Sequence, residues 1–353
     1  APAAAGFSFA LESAQVLHRL LSSIWFGKKN QIAQFAVSTG GVKVSGENDA
    51  KSFHAAAYIK MELFRDLQVT ARAAAAAVLQ STADSSLAPS ASPAAGAAPR
   101  GAESVKFRVS LSALLDCMAV FGLTQLAHTS LTASYDEADG LFRLSLEYDG
   151  TITECELRTM AGEADELNFT DGFVDVSRVP TKLLVNSDAL REAFTTLFDT
   201  ANATSIAFTI ADDAGCNADE PRLLLSTDGS AGRCSVSFAS KSPSVRLEEV
   251  EYPQSFSYSL AALANAVKGL PHSTETYMRV NDRGMLSVSH KVLSNDAVTS
   301  FVTYILLADN EAEDGGDEEE GVGVEGATPV EREREEVDSD DDGDGGSVHS
   351  SDE

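Results

Sequence analysis

FRVSLSALLDCMAVFG, residues 107–122, is the stretch on which the fold turns. Phe107-Arg108-Val109 has the composition of a short strand. Ser110 follows where a helix N-cap belongs, its hydroxyl placed to accept from the open amides of the next turn. From Leu111 the apolar period becomes helical: Leu111, Leu114, Leu115, Met118 and Phe121 make one stripe, and Gly122 closes it at a C′ position. One strand therefore runs directly into one amphipathic helix. Phe256-Ser-Tyr-Ser-Leu260-Ala-Ala-Leu263 repeats Phe107-Arg-Val-Ser-Leu111-Ser-Ala-Leu114 at an offset of 149 residues. A spacing of that size points to two copies of a larger unit.

Working outward, the same pattern predicts further strand–helix–strands units. Phe7–Leu11 alternates as a strand, and Ser13 is placed to cap a helix from Ala14 to about Trp25. Strands follow at Phe35–Ser38 and Val42–Gly46, joined across Thr39-Gly40-Gly41, then at Ser52–Ile59 and Leu67–Arg72. After residue 122, strands are expected at Leu131–Asp136, Leu141–Tyr148 and Thr151–Arg158, with hairpin turns at Asp139-Gly140 and Asp149-Gly150. The second half repeats the layout. A strand ends at Val185, and Asn186 or Ser187 caps a helix over Asp188–Asp199. Strands are then expected at Ser205–Ile210, Arg222–Ser226, Arg233–Ala239 and Leu247–Glu251. The second copy of the opening segment runs to Gly269, and three more strands end at Leu307. The sum is an α+β chain with four helices and about sixteen to eighteen strands, joined by short turns and so largely antiparallel.

Composition sets the boundaries. Residues 1–6 form a small-residue leader. Residues 73–104 are built from Ala, Ser, Pro and Gly, lack the apolar content to bury a core, and read as a disordered insertion. Residues 161–175 are acidic and glycine-punctuated, a connector between an N-terminal domain at 7–160 and a C-terminal domain at 176–308. Residues 309–353 hold twenty acidic and two basic residues. That tail carries −18 of the formal −28, leaving −10 for the body. A body of that sign repels a polyanion on average, so any nucleic-acid contact must come from a local positive face. The four cysteines, Cys117, Cys155, Cys216 and Cys234, show no CxxC spacing and read as reduced thiols of an intracellular protein. No run of eighteen apolar residues is present, and no membrane span or signal peptide is expected. Ser339, Ser350 and Ser351 stand ahead of acidic residues, a context suited to an acid-directed kinase.

Two halves, each with two strand–helix–strands units and an acidic connector between them, resemble a sliding-clamp subunit of the PCNA-like type. The local words go further. FRVSLSALLDCMAVFG at 107–122, SLAALANAVKGL at 259–270, LREAFTTL at 190–197 and NDRGMLSV at 281–288 resemble the Rad-one subunit family of the DNA-damage checkpoint clamp. VKVSGENDAKSFHAAAYIKMELF at 42–64 and FVTYILLADNEAEDG at 301–315 point the same way. The resemblance spans about residues 7–310; the 73–104 insertion and the long acidic tail depart from it. It implies two similar domains, each with two helices on antiparallel sheets, and a non-enzymatic subunit acting in the nucleus. Rad-nine-like and Hus-one-like subunits would close a ring with it around double-stranded DNA at recessed junctions, placed there by a loader containing a Rad-seventeen-like subunit. Checkpoint activators and repair enzymes would be recruited to the ring. No cofactor or metal is implied.

On this reading, helices line the hole, and Arg19, Lys28, Lys29, Arg191 and Lys268 are the candidates to face DNA; the helix at 111–121 offers Asp116 instead. Ring closure needs unpaired edge strands. The candidates are Thr151, Thr153, Cys155 and Leu157 on one, and Arg233, Ser235 and Ser237 on the other. Leu167, Phe169 and Phe173 of the connector are candidates to border a client-peptide groove. Two rival functions remain open: a homotrimeric replication clamp, and a metal-dependent 3′–5′ exonuclease. The exonuclease would need clustered carboxylates for two metal ions. Asp136-Glu137-Asp139 is the densest such group in the body, and a hairpin turn accounts for it equally. The histidines show no metal-ligand spacing, and there is no GxSxG, P-loop or GxGxxG.

Overall fold

In a computed structural model, the residues described are 5–70, 104–162, 179–211, 221–239, 241–293 and 298–309. The expectations for the 73–104 insertion (all but Ser104), the connector beyond Gly162 and the acidic tail beyond Asp309 lie outside them. So do Cys216 and the tail serines. The first half holds β1 (Gly6–Leu11), α1 (Gln15–Ser23), β2 (Ile32–Ser38), β3 (Gly41–Glu47), β4 (Phe53–Lys60) and β5 (Arg65–Thr70). It continues with β6 (Val105–Ser110), α2 (Leu111–Met118), β7 (Ser130–Asp136), β8 (Leu141–Tyr148), β9 (Thr151–Arg158) and the short β10 (Met160–Ala161). The second half holds β11 (Thr181–Asn186), α3 (Ser187–Phe198), β12 (Ser205–Ile210), β13 (Pro221–Gly229), β14 (Gly232–Ala239) and β15 (Val245–Val250). It ends with β16 (Gln254–Ser259), α4 (Leu260–Ala266), a 3₁₀ turn (Val267–His272), β17 (Ser273–Val280), β18 (Leu286–Leu293) and β19 (Thr299–Leu306).

All strand pairs are antiparallel, in three sheets ordered β5-β1-β7-β8-β9, β14-β13-β12-β16 and β10-β6-β2-β3-β4-β19-β18-β17-β11-β15. The pairing explains why the sequence repeats in twos. Each unit's leading strand pairs with the first meander strand of its sister unit: β1 with β7, β6 with β2, β11 with β17 and β16 with β12. A single unit cannot complete its own sheet, so two interlock in each half. The halves join where β19 pairs with β4, from Phe301↔Tyr58 to Leu306↔Phe53, which makes the ten-stranded sheet continuous across the molecule.

The opening stretch behaves as its pattern requires. Ser110 Oγ accepts from the Ala113 amide at 3.4 Å, and Leu111, Leu114, Leu115 and Met118 are buried. Phe107 is fully buried at the centre of an aromatic cluster. Its ring lies 4.3 Å from Tyr135, 5.0 Å from Phe35 and 5.3 Å from Phe142, centroid to centroid. The repeat is real in space, since β6–α2 and β16–α4 are the second units of their halves. The helix ends at Met118, three residues before the expected end. Gly122, at φ +96°, turns the chain into a 3₁₀ segment over Leu123–His128. Asn186 caps α3 by accepting from the Ala189 amide at 3.1 Å. Ser13 caps α1 as expected, its Oγ accepting from the Gln15 amide at 3.3 Å while donating to the Leu126 carbonyl at 3.1 Å.

Two other expectations shift and one holds. Residues 5 and 6 belong to the fold rather than a leader, with Ala5 buried and its carbonyl accepting from the Glu137 amide at 2.9 Å. Asp149 and Gly150 both take positive φ, the tight two-residue turn expected. At Asp139-Gly140 only the glycine does, and a wider loop closes where the Gly140 amide donates to the Asp136 carbonyl.

The helices converge on the 3₁₀ turn that follows α4. α1 packs against α2 and against the 3₁₀ turn that follows α4, and α3 packs against that same turn. A continuous apolar core runs beneath them from Phe7 to Leu306.

Candidate functional site

The helices position the five basic candidates, and the structure separates them. Arg19 is half-buried on α1 and close enough to His272 to help hold that imidazole below its ordinary pKa, although burial is the larger cause. Lys29 is exposed in the loop after α1, and its carbonyl accepts from Ser112 Oγ at the start of α2. Among the described residues neither side chain has an acidic partner. Lys28 is paired with Asp49, and Arg191 with Asp188 one turn earlier on α3 at 2.8 Å. Both pairs are exposed, so their carboxylates weaken the local positive field without adding much stability.

Lys268 has a different task. Its ammonium donates to the Trp25 carbonyl at 2.6 Å, across 243 residues of sequence, and burial lowers its pKa. It is one of three side chains that serve the last carbonyls of α1. Tyr304 Oη donates to the Ser23 carbonyl at 2.9 Å, and Gln31 Nε2 donates to the Ile24 carbonyl at 2.8 Å. A helix C-terminus leaves carbonyls without intrahelical partners and carries partial negative charge. Here two of the three donors come from the second half, so the end of α1 is a junction between halves. No local pattern marks Tyr304 for this role, because it reads as an ordinary core residue of a strand.

Beside this junction lies a buried polar chain. His290 is fully buried, with Nε2 2.7 Å from the Ala266 carbonyl and Nδ1 2.9 Å from Thr276 Oγ1. A carbonyl can only accept, so Nε2 carries the proton and Nδ1 accepts from the threonine. Thr276 Oγ1 is also 2.8 Å from Ser187 Oγ at the first turn of α3. Gly269 makes the room for the ring; a Cβ there would stand 2.6 Å from His290 Cδ2. Burial pushes the His290 imidazole down to about 4.

The strands proposed for ring closure both prove to be edges. β9 ends the five-stranded sheet and β14 ends the four-stranded one. The side chains singled out on them point in different directions. On β9, Thr153, Cys155 and Leu157 lie on the half-buried, helix-facing side, while Ile152, Glu154, Glu156 and Arg158 face outward; Thr151 at the strand's start is exposed. The Cys155 thiol reaches Cys117 on α2. Burial first, and that contact second, push the Cys117 thiol up to about 12. On β14, Arg233, Ser235 and Ser237 form the exposed side, and Cys234, Val236 and Phe238 pack inward. Leu167, Phe169 and Phe173 lie outside the described residues.

The acidic cluster weighed for metal chemistry is committed elsewhere. Asp136 Oδ1 accepts from the Ala138 amide and Asp139 Oδ1 from the Leu141 amide, both at 2.9 Å, and Asp139 Oδ2 pairs with Arg143. These bonds shape the β7–β8 loop.

Helices packed together, one sheet continuous across two interlocked halves, and an open edge strand in each half define a PCNA-like sliding-clamp fold. The sequence profile described as repair protein Rad1/Rec1/Rad17 matches residues 6–292, and the chain belongs to this Rad1 family. It is 28% identical over 303 residues to the cell cycle checkpoint protein RAD1 of Mus musculus, covering 85% of this chain and 91% of the mouse protein. The human protein of the same name is 27% identical with the same coverage. The DNA damage checkpoint control protein rad1 of Schizosaccharomyces pombe is 22% identical over 165 residues, 46% of each chain.

Proposed function

We propose that this chain is a subunit of a heterotrimeric checkpoint clamp that encircles double-stranded DNA and recruits signalling and repair proteins at damage. One observation carries the reading: a Rad1-family chain has, among the six terminal strands of its three sheets, β9 in the first half and β14 in the second, each the last strand of a meander and open on its outer side among the described residues. An edge strand in a soluble protein invites another strand, and two such edges on one chain build a ring when the rotation closes. Residues 7–160 and 176–308 act as the two clamp domains, joined by the 161–175 connector. The other two places in the ring are taken by Rad-nine-like and Hus-one-like subunits, and a loader containing a Rad-seventeen-like subunit sets the ring at recessed junctions in the nucleus.

The helix side holds DNA through few contacts. Arg19 and Lys29 meet phosphates, with Lys28 and Arg191 contributing less because each already has a carboxylate partner. Enclosure, rather than tight binding, retains the cargo, so the thin positive lining is sufficient. The ring does no chemistry of its own. Leu167, Phe169 and Phe173 border the client groove.

Co-expression of the full chain with the two candidate partners, followed by native mass measurement, tests the proposal. A 1:1:1 complex is expected. A stable homotrimer of the chain alone, or the absence of any three-subunit complex, would overturn it.

A further inference from the structure

Surface loops are ordinarily mobile, but the loop that leaves α1 is bonded along most of its length. Gln31 is buried beneath it and serves two backbone groups: Nε2 donates to the Ile24 carbonyl at 2.8 Å, and Oε1 accepts from the Phe26 amide at 2.7 Å. Lys268, from the second half, holds the Trp25 carbonyl at 2.6 Å. The Trp25 indole Nε1 donates to the Lys28 carbonyl at 3.1 Å, and the Gln31 amide shares that acceptor at 3.3 Å. Ser112 Oγ of α2 donates to the Lys29 carbonyl. Phe26 anchors the middle of the loop, its ring edge-on to that of Phe53 at 5.0 Å.

What this scaffold presents to solvent is short and chemically consistent. Gly27, Lys28, Lys29 and Asn30 are exposed, and Trp25 beside them is half-buried, its nitrogen committed to the Lys28 carbonyl and the rest of its ring partly open. Two adjacent ammonium groups next to an aromatic ring suit a nucleic-acid strand. Lysines alone would serve a duplex equally well. The indole adds to binding only where a base has left its stack, because a paired and stacked base offers no open face. The two lysines differ in readiness. Lys28 is paired with Asp49 of the β3–β4 turn, whereas Lys29 has no acidic partner among the described residues.

Resting on the ring reading above, which sets the helix side against DNA, we propose that the Trp25–Asn30 loop is a contact for single-stranded DNA. Lys29 holds a backbone phosphate, and the Trp25 ring stacks on an unpaired base next to it. Lys28 joins as a second phosphate ligand once the strand displaces Asp49. The loop thereby favours DNA with an unpaired stretch over DNA paired throughout. Because the backbone is fixed in advance, little further ordering of the protein opposes binding.

Trp25 is the single tryptophan, so the isolated full chain reports on this loop without a label. Titration at low salt with an oligothymidylate should quench its fluorescence, and a blunt duplex of the same length should not. Anisotropy of a labelled oligothymidylate then separates the two parts of the site. Trp25→Leu should bind about tenfold more weakly with the salt slope unchanged, and Trp25→Phe, which keeps an aromatic face, should retain most of the affinity. Lys29→Gln should lower the slope by about 0.7, and Asp49→Asn, by freeing Lys28, should raise both affinity and slope. Thermal melting identifies any variant that fails to fold, and quenching of the unaltered chain needs no variant. Binding without quenching, equal quenching by the duplex, Trp25→Leu as tight as the unaltered chain, or no binding of the oligonucleotide would each overturn the assignment. These readouts use the chain alone. Failure of the three-subunit complex to form would strike the ring reading and leave the fluorescence result standing, so the two failures are distinguishable.

Discussion

Replacing Lys268 with methionine asks whether this residue holds DNA or holds the protein together. Methionine keeps the unbranched stem and its packing while removing the ammonium. Three features set the expected cost. The bond to the Trp25 carbonyl is short, at 2.6 Å, and charge-assisted. Its acceptor stands at the C-terminus of α1, where a partly buried cation is worth up to about 2 kcal/mol. Against this, burial makes the charged form harder to keep, as the lowered pKa shows. A net loss of about 1.5 kcal/mol follows, or roughly 3–6 °C in melting temperature for a folded body of this size. Trp25 is the single tryptophan and carries the carbonyl concerned, so its fluorescence during urea unfolding reports on the site directly. Tyr304→Phe, which leaves the Ser23 carbonyl without its donor, should cost about 1–3 kcal/mol. The two donors serve neighbouring carbonyls, so the double variant should depart from additivity by at least ~0.5 kcal/mol. The salt dependence of DNA association by the assembled ring should be the same for Lys268→Met as for the unaltered chain. An unchanged urea midpoint together with a salt slope smaller by about 1 would refute the reasoning and return Lys268 to the DNA.

Acid should weaken the fold through one buried and one half-buried histidine. Burial pushes His290 down to about 4, and burial with Lys43 nearby does the same to His54. The unfolded chain takes up these protons near pH 6.5, but the native chain only near pH 4. Stability should be flat above pH 7 and should fall between about 6.5 and 4, by up to ~3 kcal/mol per histidine; urea titrations of the unaltered chain and His54→Gln at several pH values check this, and equal slopes for the two would count against it. Gly284→Ala should be strongly destabilising, because φ is +76° and a Cβ would stand 2.5 Å from Phe256 Cδ1; thermal melting measures it, and a loss below ~1 kcal/mol would contradict the geometry. Arg19→Glu with Lys29→Glu should lower both DNA association and its salt slope in the assembled ring, whereas Lys28→Gln, already paired with Asp49, should do less. Asp136→Ala with Asp139→Ala should leave any trace nuclease activity of a purified sample unchanged; activity that needs Mg²⁺ and disappears in this variant would favour an exonuclease.

Much of the architecture was legible in the chain itself. Period-two and period-3.6 patterns are local consequences of burying one face, so Phe107, Leu111, Leu114 and Met118 declared their strand and helix before any fold was known. The paired units, four helices and short antiparallel turns followed from the same rule, and the strand edges at β9 and β14 followed from the resemblance to clamps. What tertiary structure alone decided concerns groups that meet across long separations. Lys268 looked like a surface cation until Trp25, 243 residues earlier, presented a helix-end carbonyl to it. Tyr304, an ordinary strand residue by pattern, closes the same helix from the other half. Lys28 lost part of its promise to Asp49, 21 residues later and beside it in space, whereas the pairing of Arg191 with Asp188 one helical turn earlier was already written in the spacing. The early end of α2 at Met118 left Val120, expected within the helix, exposed beside Leu123. Periodicity is written in neighbours a few residues apart, so it survives in the sequence. A charge or hydrogen-bond partner far along the chain is fixed only when sheets pair and helices pack, and no local pattern encodes it.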